Sequence, residues 1–585
     1  MAPFNVFQNL PVLVVEMIVE YVGRRARNTF IEDTRKHNNK KVILRPLLYI
    51  GKEWRLAVVR SLCDNCQIRL NHFSNSVDIK YPAWPAGHPY PPIHRTNLVK
   101  RVVVYAPFCG NLSAEKFNES TARLRGKGDG VVFPYANNLV LILRKPRERR
   151  SYSSSLFGNR APPPPPPPPV VPVDPKNIIS FARFLLRLVP DASSLSTTFI
   201  AERDVISDAA HPFDMLISEL CKGGIKSLQA QSYHRCSRVA LGPMVITGLT
   251  SLTQSSTMFS SAFSALARLN AGTLSKLSIG LYEVEDWPSY IHDDQKNSTV
   301  YPNLTTLIVI VPQGIHIRHE TTFDAIEDVV PFPKLVTLDV TGFYPFVDDL
   351  FFRGNGETLK YLRLPIVAFK RNVLSRYGVL GRYGVSRMNS VHIAMHADWY
   401  MDKYVLNHIF LQDDETIERQ LPAILEMTPT LVVSSDTKHF HVFKALSAAP
   451  SFTVLQHLTV AKPVYTTMQI IQIIAAIPTL VSFACDLSKK VSGSTEAMPE
   501  EELPGALIEK YYPLSKNFKT LRASRGGSVS TNKMAIAAMQ IALICPSFEF
   551  VDILPGLRKD LKYKITYAMV KDRFKPYTEG FSRLL

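Results

Sequence analysis

The residues best able to do chemistry in this chain are cysteines, histidines, carboxylates and one glycine-rich basic run. Their spacing argues against most of that chemistry. Cys63-x-x-Cys66 supplies half of a tetrahedral zinc site. A structural zinc needs four ligands, and neither a second cysteine pair nor a closely spaced histidine pair follows. His72 and His88 stand alone, so packed or free thiols near a helix end are expected instead of a metal. Arg123-x-Arg125-Gly126-Lys127-Gly128-Asp129-Gly130 has the composition of a phosphate-cradling loop. It lacks the closing Gly-Lys-Ser/Thr and the following helix, and reads as a hairpin-like turn. Asp348 and Asp349, with Glu327 and Asp328 nearby in sequence, lack the alternating carboxylates of a calcium loop and read as solvated loop residues. No nucleophile elbow, kinase signature, dinucleotide fingerprint or zinc-protease pair occurs. The chain is expected to be non-catalytic, with no cofactor and no metal.

What the sequence does repeat is an apolar spacing. Pro302-x-Leu304-x-x-Leu307-x-Val309, Pro333-x-Leu335-x-x-Leu338-x-Val340 and Leu359-x-x-Leu362-x-Leu364 are short strands with inward residues at positions 1, 4 and 6. They begin 31 and 24 residues apart, the spacing of a leucine-rich repeat in which each strand is followed by a helical or irregular return. One such unit cannot bury its apolar face alone, so the units must stack. Further cores begin at Ile225, Leu249, Leu274, Met388, Leu455, Leu480, Phe518 and Phe548, with Leu431 marking another. Amphipathic helices are expected at 177–189, 213–221, 263–269, 417–427, 468–477 and 534–545. Prolines at 302, 333, 429, 478 and 546 introduce five strands, because the residue before a proline avoids helical geometry. The asparagine ladder of regular leucine-rich repeats is absent. The fold class is α/β: an irregular leucine-rich-repeat solenoid preceded by a short three-helix segment.

Length and charge agree with that picture. A chain of 585 residues exceeds one compact core. Of its net charge of +18, residues 1–176 hold 27 basic against 12 acidic side chains, so +15 lies in the first third. An electrostatic partner would therefore meet the front of the molecule. A binder of nucleic acid or of anionic membrane through this basic front is a further alternative, although the basic loop 24–40 has no interleaved aromatics, which disfavours a nucleic-acid partner. Seven scattered cysteines form no disulfide framework and point to a reducing compartment, cytoplasmic and/or nuclear. The N-terminus does not read as a signal peptide, and no apolar run is long enough to span a membrane.

The first 72 residues form their own segment. Pro11 opens a periodic run of Val14, Val15, Ile18, Val19 and Val22, and a second run leads into Lys52-Glu53-Trp54-Arg55. Leu10-Pro11-x-x-Val14-x-x-x-Ile18-Val19 resembles the opening of an F-box, and Leu44-x-Pro46-Leu47-Leu48-x-Ile50-x-Lys52-x-Trp54-Arg55 resembles its second half. Gly51 stands where the family has a cysteine, and the basic loop 24–40 is an insertion. The combination, with Tyr344-Pro345-Phe346-x-Asp348-Asp349-x-x-Phe352-Arg353-Gly354-Asn355 in the repeats, is similar to a large set of F-box-like proteins from early-diverging fungi. The resemblance implies a helical hook that docks on a Skp-type adaptor of a cullin ubiquitin ligase. Leu10, Pro11, Val14, Ile18, Leu47, Leu48 and Trp54 would contact that adaptor or shape the contact surface. The repeats would present a protein substrate whose contact residues the sequence leaves unknown. A plain solenoid cap is the alternative reading of the same helices.

A Ser-rich and basic stretch with eight prolines, Pro162 to Pro169, interrupts the repeats at 144–176. It can only be extended polyproline II, a spacer or a ligand for a proline-recognition domain. A strand precedes it and a helix follows, which places it inside one repeat. The repeats are expected to run from 73 to 560, with a basic amphipathic cap at 561–585.

Overall fold

In the computed structural model, the described residues are 10–19, 47, 50–62, 65–71, 76–80, 99–107, 114–128, 130–144, 174–200, 210–232, 245–254, 261–280, 288–292, 297–310, 329–341, 354–365, 389–395, 428–435, 454–487, 511–524, 541–542, 544–548 and 550–553. The chain divides into two units, Met1–Tyr301 and Pro302–Leu585. The proline tract, the basic loop 24–40, the carboxylates at 327–328 and 348–349, the helix expected at 417–427 and the cap at 561–585 lie outside the described residues.

The first unit carries strands β1 (Asn65–Asn71), β2 (Ser76–Lys80), β3 (Arg101–Pro107), β4 (Asn138–Arg144), β5 (Ser194–Ile200), β6 (Ser227–Ser232), β7 (Ser251–Gln254) and β8 (Lys276–Gly280). Among its described residues are the helical stretch 12–19 and helices α1 (Lys52–Leu62), α2 (Ala114–Gly128), α3 (Pro175–Leu188), α4 (Ala210–Cys221), α5 (Ser261–Leu269) and the short α6 (Pro288–Ile291). β2 pairs with β1 antiparallel, while β1 and β3 to β8 form a parallel ladder in chain order. The sheet thus begins at Asn65, inside the segment that the sequence assigned to the helical front, and Cys66 is a strand residue paired with Val102. Across this ladder Val102, Leu139, Leu195, Leu228, Leu252 and Leu277 fall in register. All of them are buried, each such side chain contributing roughly 1.5–3 kcal/mol of hydrophobic stabilisation.

The second unit repeats the arrangement in β9 (Thr306–Ile310), β10 (Thr337–Thr341), β11 (Tyr361–Pro365), β12 (Ser390–Met395), β13 (Thr430–Ser435), β14 (His457–Tyr465), β15 (Ser482–Leu487), β16 (Thr520–Ser524) and β17 (Phe550–Ile553). Every neighbouring pair is parallel. Leu307, Leu338, Leu362, Val391, Leu431, Leu458, Phe483, Leu521 and Val551 form one in-register row, the fourth position of the repeat. Helix α7 (Thr467–Ala476) follows β14, begun by a reciprocal capping box between Thr466 and Gln469 and burying Ile470, Ile471, Ile473 and Ile474.

A backbone ladder replaces the missing asparagine ladder. The residue just ahead of each strand turns its carbonyl to the next repeat, where it accepts two successive N–H groups. Lys226 O takes Thr250 N (2.8 Å) and Ser251 N (3.1 Å), and Thr250 O takes Ser275 N and Lys276 N. In the second unit Gln456 O takes Val481 N (2.7 Å) and Ser482 N (3.0 Å), and Val481 O takes Lys519 N and Thr520 N. A carbonyl has two lone pairs, so one backbone atom can accept both bonds. Hydroxyls reinforce it: Thr250 Oγ1 donates to Lys226 O and Ser275 Oγ to Thr250 O. Such a ladder asks only for backbone geometry, and leaves no residue signature to read.

One local reading changes. Arg123 to Gly128 are not a turn but the end of α2, because Thr121 and Leu124 supply a buried helical face that the glycines only terminate. Gly130, with φ of +77°, lies just beyond it. β4 ends at Arg144 and α3 begins at Pro175, yet β4 and β5 pair over seven residues. The proline-rich stretch therefore falls between the strand and the helix of one repeat. Asp174 caps α3 by accepting from Lys176 N at 2.8 Å.

Gly354 combines a left-handed backbone with a close neighbour. Its φ is +69°, and a Cβ would lie 2.6 Å from Val330 Cγ1. Gly354→Ala should lower stability of the second unit by about 2 kcal/mol or more, from left-handed strain plus overlap. In urea unfolding, adding Val330→Ala should recover the overlap and not the strain. Full recovery by Val330→Ala, or no loss in the single variant, contradicts this.

Candidate protein-interaction site

The two F-box-like stretches meet. Residues 12–19 are helical, started by Pro11, whose carbonyl accepts from Val14 N (2.9 Å) and Val15 N (3.1 Å). Val15 and Val19 face inward, against Trp54, Ala57 and Val58 of α1. Leu10, Ile18, Leu47 and Ile50 close the edges of this cluster. The sequence predicted three helices here; among the described residues there are two, and Leu47 and Ile50 are joined by a turn bond from Ile50 N to Leu47 O. Gly51 is not a steric requirement, since a Cβ there would touch Trp54 Cδ1 at an ordinary 3.9 Å.

The seven residues assigned to adaptor contact are distributed unevenly by this packing. Trp54 is 3% exposed and lies in the core, so it can shape a contact surface but not form one. Leu10, Ile18 and Leu47 are half-buried seams of the cluster, whereas Pro11 and Val14 face solvent. Leu48 lies outside the described residues. The sequence reading missed the outermost apolar side chains, Leu13 and Met17, which are 69% and 64% exposed. Their spacing of four residues puts them on one helical face, with Val14 beside them. The signal was present: Val12 to Val15 is apolar throughout, more than a one-sided helix needs.

The second surface is the face of the sheet opposite the leucine row. In the second unit its register brings together Ile308, Asp339, Arg363 and His392 on successive strands. Arg363 Nη1 reaches Asp339 Oδ2 at 3.4 Å. Burial pushes the Asp339 carboxyl above its ordinary range, and the Arg363 guanidinium pulls against that shift. One position ahead of the leucine row stand Tyr361, 46% exposed with Asn389 Nδ2 donating to its hydroxyl at 3.3 Å, and His457, whose Nδ1 lies 2.8 Å from Ser482 Oγ. These positions lie off the leucine row, and polar or aromatic residues there would give a partner specific contacts. Among the described residues no group of three metal-ligating side chains converges. Buried Cys221 and Cys545 thiols are pushed by burial up to about 12, and neither is a nucleophile at neutral pH. Among the described residues no helix is long and apolar enough to cross a membrane.

No family model matches the chain, and no curated protein matches it. Among solved structures, a crystal structure of a TLR13–ssRNA13 complex is similar at 9% identity and a TM-score of 0.35, over 79% of this chain. The chain spans 50% of the length of that one. The F-box and fungal resemblance gains nothing from these comparisons and rests on the residues quoted for it. The repeat architecture rests on strand spacing and register, and by that measure each unit is a solenoid-like stack of parallel strands, the first preceded in sequence by a helical segment.

Proposed function

We propose that this chain is a non-catalytic interaction scaffold: its N-terminal helices dock one protein, and its sheet faces hold another. The observation that carries the proposal is the division of labour in residues 10–19. Val15 and Val19 satisfy the helix's packing inward, yet Leu13 and Met17 are left in water. A cap needs only the inward half; large apolar side chains kept exposed on an ordered helix mark a contact surface. With the F-box-like motif, the best-supported partner is a Skp-type adaptor, which would make the chain a substrate receptor of a cullin ubiquitin ligase, with conjugation chemistry on an associated enzyme.

The test is direct binding of the full chain to a Skp-type adaptor. Wild type should bind at micromolar adaptor or tighter, and Leu13→Glu/Met17→Glu should weaken binding about tenfold or more while melting like wild type. A folded wild type that does not bind, or a double variant that binds equally, overturns the receptor reading. The helices then serve as the solenoid's cap.

A further inference from the structure

The helical side of the first unit carries a feature that docking by residues 10–19 does not use. Helix α3 contains no acidic residue, and Lys176, Arg183 and Arg187 are all exposed. Their spacings of seven and four residues place them on one ridge of the helix, opposite buried Ile178, Phe181, Leu185 and Leu188. Ser180 lies on the same ridge, and its Oγ accepts from Arg125 Nη1 of α2 at 2.8 Å. Arg125 also donates from Nε to Thr121 O at 3.4 Å. Both of its acceptors are neutral, so a fourth positive charge is brought to the ridge without being cancelled. Among the described residues no carboxylate pairs with Lys176, Arg183 or Arg187, and the nearest acid in sequence, Asp174, accepts from the backbone N–H of Lys176 as the cap. Arg187 gains something from the helix C-terminus it sits on. Lys176, in the first turn, gains nothing and is placed against the helix dipole.

We infer that this ridge is a docking surface for an acidic protein segment rich in aspartate and glutamate. Three free cations and one neutrally bonded arginine on a straight ridge of roughly 16 Å, at about 1.5 Å per residue, match a run of carboxylates on an extended or helical partner. Arginine's planar fork favours carboxylate or phosphate oxygens over diffuse anionic charge. The ridge exposes no aromatic ring on which bases would stack and no apolar side chain to enter lipid, unlike single-stranded nucleic-acid sites and interfacial helices. Charge complementarity with carboxylates is the remaining match. This surface is separate from the exposed Leu13 and Met17 and does not depend on what those residues bind.

The test uses the full chain and poly-L-glutamate as probe, in low salt. Lys176→Glu/Arg183→Glu/Arg187→Glu changes only exposed residues. The control, Lys100→Glu/Lys226→Glu/Lys276→Glu, makes the same charge change on exposed residues beside the strands. The ridge variant should weaken poly-L-glutamate binding about tenfold beyond the control, and the difference should shrink as salt rises. Equal weakening by the two variants overturns the proposal, since the basic front would then be acting as diffuse charge. So does preference for an oligonucleotide or for phosphatidylserine vesicles over poly-L-glutamate that the ridge variant alone abolishes, because the ridge would then serve phosphate.

Discussion

Replacing Trp54 with alanine should cost about 3–5 kcal/mol, and the loss should be local. Trp54 is 3% exposed at the centre of the cluster that holds residues 10–19 on α1, contacted from both F-box-like stretches. Removing an indole from such a place forfeits its burial and leaves a cavity that Val15, Val19 and Val58 fill only by moving. Hydrogen exchange is the measurement. Amides of 12–19 and 52–62 should exchange faster by on the order of a hundredfold or more, while β4 to β8, whose leucine row is untouched, keep their protection. Trp54→Phe should lose much less. The same variant separates support from contact at the docking surface. Trp54→Ala should weaken partner binding together with faster exchange, whereas Leu13→Glu/Met17→Glu should weaken it with exchange unchanged. Unchanged protection at 12–19 in Trp54→Ala would show that the helix is held by something other than this cluster.

The contrast between Trp54 and Met17 also shows where sequence reading succeeds and stops. Leucines at positions 1, 4 and 6 are legible because burial allows few substitutes, and every core that the spacing picked out within the described residues falls on a strand in register. Leu338 with Leu362, Leu458 with Phe483 and Leu521 with Val551 are examples. Element type was lost where glycine count outweighed periodicity, as in Arg123 to Gly128. Thr121 and Leu124 carry the helical spacing there, and the two glycines at its end mask it. Which of the motif residues face solvent was not legible for a related reason. A motif names positions without saying which turn inward, and on an apolar helix such as 12–19 only the partner surface decides. Val15 and Val19 chose the face of Trp54, and Leu13 and Met17 were exposed as a consequence. The sheet face was out of reach because its members, such as Asp339 and Arg363, are neighbours through register across 24 residues and not through any local pattern.

The backbone ladder was illegible for a deeper reason, and one residue tests it. Where carbonyls tie the repeats together, side-chain amides are free to disappear, and Asn270 is a place where one has not. It is 2% exposed, directly after α5. Its Oδ1 accepts from Leu249 N at 2.9 Å, and its Nδ2 donates to Ile246 O at 2.7 Å and to Leu266 O at 2.9 Å. The amide thus ties the chain entering β7 to the helix leaving it, and Thr273 Oγ1 completes the join by donating to Leu249 O at 2.7 Å. Asn270→Ala removes three bonds and strands the Leu249 N–H and the Ile246 carbonyl away from water. The expected cost is about 3–4 kcal/mol, since each stranded buried group costs roughly 1–3 kcal/mol. Thr273→Val should cost about 1 kcal/mol, having one O–H to lose between the Leu249 and Asn270 carbonyls. Asn270→Asp sharpens the test. A carboxylate keeps the acceptor for Leu249 but faces two carbonyls where the amide donated, so its folded-state pKa must rise above the unfolded value. A raised carboxyl pKa favours the folded state at low pH and loses that advantage as pH rises through it. The deficit of Asn270→Asp in urea should therefore grow from acid toward neutral pH, relative to wild type, while that of Asn270→Ala stays flat. A deficit below about 0.5 kcal/mol for the alanine variant would mean that the backbone ladder alone holds β7 in place.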